Sequence, residues 1–307
     1  TKEKIIEIVT NDYGLLGTIE INYINRGTAN IFKITVDDKK YILKEFNSER
    51  TIEYIEKEIN IRGGICYKSF GYIQLKDFPS VDCVITLGGD GTLIRAARDI
   101  SHLGIPIIGI NMGHLGYLTS INKAKDISYM VDTLINDEYF IENRMMISAT
   151  VIREGKEFKT LTALNEAVIT RREVLKTLRC NVYIEGDFLN EYSSDGIIVS
   201  TPTGSTAYNL SAGGPIIEPS SKMMLITPIC PHALSQRSIV LSSSKVIRIS
   251  FSDRIKSARE LVVDGDESVS LENNDVVELR ESEIFAGLIK LKKGSFLDNI
   301  RNKMNRI

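Results

Sequence analysis

Asp90 is set among glycines, in Gly88-Gly89-Asp90-Gly91-Thr92, directly after the apolar run 81–87. A carboxylate there could hold Mg²⁺ or take a proton. Glycines let the backbone turn tightly and approach a ligand with no Cβ in the way. A helix opening at Thr92 would offer amide N–H groups and a positive dipole end to an anion. Strand, Gly-rich turn and helix start together suit a phosphate. Many strand-to-helix turns need glycine for geometry alone, so both readings stay open at this point.

Two further stretches carry polar groups of the right kind. Asn165-Glu166 interrupts an otherwise apolar, β-rich segment. Such a pair is unfavourable inside a strand unless its polar groups find partners, so it marks either a surface bulge or a site. Farther on, Asp195 precedes the apolar run 196–199, which ends in Ser200-Thr201-Pro202-Thr203-Gly204-Ser205-Thr206-Ala207-Tyr208-Asn209. Hydroxyls and helix-start amides can hydrogen-bond a ribose, an amide or a phosphate, and they can equally cap an ordinary helix. Ser211-Ala212-Gly213-Gly214-Pro215 adds backbone that a ligand could approach closely.

The elements that must position these groups follow from periodicity. Residues 1–75 predict two strands over 23–34 and 40–46 around Asp37-Asp38-Lys39. A helix over 51–61 follows, with Ile52, Ile55 and Ile59 on one face, and Gly63-Gly64 closes the unit. From residue 76 strands alternate with helices: strands over 81–87 and 105–110, helices over 92–101 and from Asp126, read as a cap, to 135. That alternation predicts an α/β doubly wound nucleotide-binding domain, whose ligands bind at the carboxyl ends of the strands. Beyond residue 141 many short strands with turn signals predict a β-rich, sandwich-like second domain, interrupted by a helix over 205–211. The expected domains are an N-terminal unit 1–75, the α/β domain 76–142, the β-rich domain 143–285 and a C-terminal segment 286–307 returning to the α/β domain.

The 307 residues are 43% hydrophobic and 25% charged, ordinary values for a globular chain of about two domains. A net charge of −2 shows no sign of a nucleic-acid or membrane partner. The apolar runs are far too short to span a bilayer, and no signal peptide is visible. Cys66, Cys83, Cys180 and Cys230 show no CxxC spacing. They read as buried free thiols of a reducing cytoplasm rather than as zinc ligands. His102, His114 and His232 are too scattered to support a metal site.

Gly88-Gly89-Asp90-Gly91-Thr92, Asn165-Glu166 and Thr203-Gly204-Ser205-Thr206-Ala207-Tyr208 occur in that order, with Gly113-His114-Leu115-Gly116 and Pro231-His232-Ala233-Leu234-Ser235. Together they closely resemble the NAD kinases, over roughly residues 78–293. That resemblance implies transfer of phosphate from ATP to the adenosine-ribose 2′-hydroxyl of NAD, giving NADP, with Mg²⁺ as cofactor. Asp90 would deprotonate or orient the hydroxyl. Gly88, Gly89, Gly91 and Thr92 would lie against phosphates. Asn165 and Glu166 would hold the adenosine, and Asp195 the nicotinamide side. Thr206, Ala207, Tyr208 and Ser211 would line the NAD pocket, where Gly91 also reaches, and Tyr117 and Leu118 would pack on adenine. His232 is read as structural. The resemblance also implies a homodimer or homotetramer. Two alternatives stand beside it: a non-catalytic NAD- or nucleotide-binding protein with a disrupted N-terminus, and a lipid kinase of the diacylglycerol type, which shares Gly-Gly-Asp-Gly-Thr.

Residues 13–60 fit that family less well. Tyr13-Gly14-Leu15, Gly27-Thr28-Ala29-Asn30, Tyr41-Ile42-Leu43-Lys44 and Glu49-Arg50 resemble the N-terminal lobe of aminoglycoside- and choline-type phosphotransferases. There Lys44 would contact nucleotide phosphates and pair with Glu58. The catalytic loop of that fold is not found downstream. Lacking the usual first strand, the doubly wound sheet is expected to expose an edge.

Overall fold

The computed structural model describes residues 29–36, 39–46, 49–70, 81–111, 116–121, 126–173, 176–233, 236–251, 258–292, 296–297 and 300–301. The chain divides into two units, residues 1–93 with 107–139, and residues 94–106 with 140–307.

In the first unit, β1 (Ala29–Val36) pairs antiparallel with β2 (Lys39–Phe46). Helix α1 (Glu49–Ile61) follows and buries Ile55 and Ile59 on one face, as its spacing requires. Gly63 turns the chain at φ 85°, but Gly64 does not close the unit: it opens a third strand, β3 (Gly64–Phe70), antiparallel to β1. β4 (Cys83–Leu87) is buried throughout and runs parallel to β5 (Ile107–Ile110), the arrangement expected of a doubly wound sheet. The expected bare edge is not there, because β2 pairs parallel with β4. Helix α2 (Asp90–Ile100) connects them, beginning in the first unit and ending in the second, and a 3-10 turn (Ser101–Leu103) follows it. Helix α3 (Ile127–Ile135) buries Met130, Val131 and Leu134, yet Asp126 makes no side-chain cap bond. Arg62 ties α1 to α3 through Asp132 (2.6 Å) and Ser128 (2.8 Å).

The second unit is a sandwich of two antiparallel sheets. Its strands are β6 (Phe140–Arg153), β7 (Lys156–Ala163), β8 (Glu166–Arg171), β9 (Leu178–Ile184), β10 (Asp187–Ser194) and β11 (Gly196–Ser200). β12 (Met223–Ile229), β13 (Ile239–Ser242), β14 (Ile247–Phe251), β15 (Arg259–Val263), β16 (Glu267–Leu271) and β17 (Val276–Lys290) complete it. One sheet runs β10-β9-β14-β17-β6-β7, the other β13-β12-β11-β8-β15-β16. Inward residues of both, among them Ile147, Val182, Ile197, Ile226, Ile249, Leu261 and Leu279, form one core. β9, β14 and β15 alternate buried residues with mostly half-buried ones, the pattern of strands with one face to the core. β11 is buried on both: Ile197 and Val199 face the core, while Ile198 packs with Val168, Ile229 and Ala212.

Local details differ from the sequence reading. The β9–β10 turn is Glu185-Gly186, whose residues take φ 54° and 90°. The helix expected over 205–211 is broken at Ala207 (φ −101°, ψ −127°) into a 3-10 turn (Gly204–Thr206) and a single helical turn, α4 (Tyr208–Ser211). The expected boundary at 285 falls inside β17, whose residues up to Lys290 pair with β6. All four cysteines are free; Cys83 and Cys180 are buried, but Cys66 is half-buried and Cys230 is exposed at φ 45°. No helix of the described residues is long and apolar enough to cross a membrane.

Candidate active site

Candidate functional groups occur in each of the two units. In the first, β4 delivers the chain to Gly88, whose φ of 150° suits glycine and whose N–H donates to the Ile110 carbonyl (2.9 Å). Asp90 is not in the turn, as read from sequence, but is the first residue of α2. Its carboxylate accepts three successive backbone N–H groups: Tyr117 on Oδ2 (2.5 Å), Leu118 and Thr119 on Oδ1 (3.0 and 3.3 Å). A Cβ on Gly116 would overlap that carboxylate, so the loop can come this close only with glycine there. Tyr117 lies beside it; burial, then the Asp90 charge, push its phenol upward. Gly89 and Gly91 are exposed with open space where a Cβ would stand, as a phosphate approach requires. Thr92 does not share that character: it is buried and its N–H is spent on the Gly89 carbonyl (3.1 Å). Gly113, His114 and Leu115 lie outside the described residues.

In the second unit the Asn165-Glu166 interruption is a turn between β7 and β8, and both residues are buried. The turn is held from two sides. Thr201 N–H donates to the Asn165 carbonyl (2.9 Å), Ser200 Oγ to the same carbonyl (3.2 Å), and Thr201 Oγ1 to that of Leu164 (2.6 Å). A Cβ on Gly204 would overlap the Asn165 carbonyl. From the other side, the Asp264 carboxylate accepts the N–H of Leu164 on Oδ2 (2.9 Å) and of Asn165 and Glu166 on Oδ1 (2.8 and 3.1 Å). Asp264 stands at φ 48° in the β15–β16 turn and returns its own N–H to the Glu166 carbonyl (3.0 Å). Asn165 Oδ1 and Glu166 Oε2 are buried and, among the described residues, have no hydrogen-bond partner. Burial, then the charge of Asp264, push the Glu166 carboxyl up to about 8. Burial also pushes Asp264 upward, against its three amides and Arg98. Arg98, near the end of α2, donates to Asp266 Oδ2 (2.5 Å).

The hydroxyl-rich segment lies in the same neighbourhood. Burial raises the Tyr208 phenol, and the nearby charges of Cys230, Asp195 and Glu166 add to it. Asp195 is half-exposed and held by Arg171, whose Nε and Nη2 reach Oδ1 at 2.9 and 2.8 Å. Thr206 Oγ1 donates to the Thr203 carbonyl (3.4 Å), while Tyr208 and Ser211 are exposed. Asn209 is fully buried, donating to the carbonyls of Ser205 (3.1 Å) and Pro215 (3.0 Å), and locks the segment's fold. His232 is exposed, with its backbone N–H on the Ser193 carbonyl (2.9 Å). Glu58 bonds Arg62 (2.9 Å), and the Lys44 side chain lies outside what is described.

Three supporting residues escaped the sequence reading: Asp264, Arg98 and Arg171. Their side-chain partners lie 24 or more positions away along the chain, where no local signal points to them.

Comparison with known proteins gives a family match in each unit. The family model for the ATP-NAD kinase N-terminal domain matches residues 18–139, and that for the C-terminal domain residues 164–291. The first match runs through most of the stretch that resembles a phosphotransferase lobe, and assigns it to the N-terminal domain instead. The NAD kinase of Lachnospira eligens is 40% identical over 250 residues, covering 77% of this chain and 85% of that protein. That of Caldanaerobacter subterraneus subsp. tengcongensis is 35% identical, covering 86% and 97%. Among solved structures, yeast NADH kinase complexed with NADH superposes with a TM-score of 0.66 at 26% identity, over 73% of this chain and 66% of that one. An Archaeoglobus fulgidus NAD kinase in complex with ATP gives 0.66 at 23% identity, over 85% and 96%, a likeness of fold.

Proposed function

The chain belongs to the NAD kinase family, and on that premise we propose that it phosphorylates the adenosine-ribose 2′-hydroxyl of NAD with ATP. The observation that carries the substrate side is the pair of buried side-chain oxygens, Asn165 Oδ1 and Glu166 Oε2, that no group among the described residues satisfies. Leaving such atoms unpaired is costly, and a ligand rich in hydroxyl and amide donors relieves that cost. Tyr208 and Asp195, which share their neighbourhood, extend the surface toward the nicotinamide side.

Phosphoryl transfer asks for positioning and charge neutralisation more than for covalent chemistry. Gly89 and Gly91 admit the phosphates closely. Asp90 takes the ribose proton. Three of roughly four acceptor positions on its carboxylate are filled by amides, so the remaining one on Oδ2 does this work while the loop fixes its direction. Mg²⁺ would neutralise the phosphates it travels with. Among the described residues no cluster of three His, Cys, Asp or Glu side chains could hold a resident metal. The residues present fit an ion that travels on the nucleotide's phosphates and keeps its waters, since the acceptor position left on Asp90 is the one facing the ribose hydroxyl. The enzyme would work in the cytoplasm, where its free thiols stay reduced, as a homodimer or homotetramer.

One observation favours a second reading, NAD binding without turnover: the three amides already spent on Asp90. Match to both family domains argues against a lipid kinase. The deciding experiment is NADP formation by the full chain from NAD and ATP-Mg²⁺, with NAD binding measured by calorimetry alongside. Turnover is the expected result. Tight NAD binding with no NADP would establish the second reading, and neither binding nor turnover would overturn both.

A further inference from the structure

We propose that Asp264 is a positioning residue for the dinucleotide, clamping the turn 164–166 so that the side chains of Asn165 and Glu166 are left to the ligand. The inference rests on the NAD kinase reading and names the group that builds its substrate side.

An Asn at a turn ordinarily folds its side chain back onto nearby backbone N–H groups, and Asn165 had that option. Here the option is closed. The three amides of the turn are taken by Asp264 at 2.8–3.1 Å, and the Asn165 carbonyl by Thr201 and Ser200. With every one of these backbone groups satisfied by another element, Asn165 Oδ1 and Glu166 Oε2 are buried without a hydrogen-bond partner among the described residues. Asp264 is itself set by neighbours. Its own N–H returns to Glu166, and Arg98 faces it from α2 while bonding Asp266 two residues on.

The clamp has an electrostatic consequence. Glu166 faces Asp264 from the β15–β16 turn and Tyr208 from α4; Tyr208 in turn faces Asp195 and Cys230, and Arg98 stands beyond Asp264. The negative charge of Asp264 helps keep a proton on Glu166 at neutral pH, so Glu166 can donate to a ligand oxygen as well as accept. A neutral group at position 264 would release that proton at lower pH.

The test is Asp264→Asn in the full chain, with steady-state constants for NAD and ATP and the pH profile of NAD affinity. We expect KM for NAD to rise roughly tenfold to a hundredfold while KM for ATP stays within about twofold. We also expect the Glu166 limb of the profile to move toward lower pH. An unchanged KM for NAD, equal losses for both substrates, or an unmoved limb would overturn the proposal. If Asp264→Asn does not fold, amide hydrogen exchange on the unmodified chain decides. Protection at residues 164–166 before NAD is added supports the clamp, and fast exchange until NAD binds sinks it. A wild-type chain that forms no NADP would instead strike the underlying kinase reading, an outcome visible in the same assay.

Discussion

Two carboxylates in this molecule do the same thing in different settings. Asp90 in the first unit and Asp264 in the second each accept three successive backbone N–H groups from a distant loop. Asp90 is half-buried at the first residue of a helix, and the loop it holds spends its own acceptor capacity. Asp264, equally half-buried, stands in a strand-to-strand turn near Arg98, and the clamp proposed for it leaves two other side chains to a ligand. The same hydrogen-bond device thus aims a group in one place and supports other groups in the second. A carboxylate's amide partners do not by themselves say which; what remains unsatisfied nearby does.

The comparison breaks most sharply at Asp90. Asp90→Asn replaces an acceptor oxygen with a donor facing an N–H, besides removing the base. Turnover should fall by about 10²–10⁴-fold in the NADP assay. The melting curve should also show a stability loss of about 1–3 kcal/mol from the mismatched amide. Retention of wild-type turnover would show that Asp90 serves only the loop. Gly116→Ala probes the aim alone, since its Cβ pushes on the carboxylate without altering it chemically. A fall in kcat of roughly tenfold or more, at little change in KM for NAD, is expected from misplacing the base.

The third probe is the pH dependence of stability at Glu166. Its folded carboxyl is raised to about 8 from an ordinary 4.5. Between those values the folded chain keeps a proton that the unfolded chain has lost, so rising pH favours unfolding. The penalty is absent below pH 4.5, grows through this window and levels off above 8. Glu166→Gln removes it. The melting temperatures of variant and wild type should converge near pH 4.5 and differ most, in the variant's favour, at pH 8. A constant difference across the window would mean that Glu166 is not held neutral.

Much of this was legible beforehand, for reasons that particular residues make plain. The apolar run ending at Gly88 had to be a buried strand, and the spacing of Ile55 and Ile59 had to be a helix face. Asn165-Glu166 stood out because such a pair inside an apolar segment needs an explanation, and the explanation is a turn with two unsatisfied oxygens. The Asp90 position was misread by one structural step, from turn to helix, since helix starts are weakly marked when glycines flank them. The expected bare sheet edge was wrong because β2 supplies a parallel strand from a segment whose own pattern reads as a local hairpin.

The sequence by itself determined which chemistries were on offer: a carboxylate among glycines, an Asn-Glu pair, a run of hydroxyls after a strand, and the family these spell together. It also determined most elements, because propensity and hydrophobic period act over a few residues. Only the tertiary structure decided which polar atoms were used up and which were left. The amides of 164–166 meet a carboxylate 98 to 100 positions away, and those of 117–119 one 27 to 29 positions back. No local preference encodes such a meeting. It follows from how the strands pair and turn, and it is the accounting of buried hydrogen bonds that turns residue types into a site.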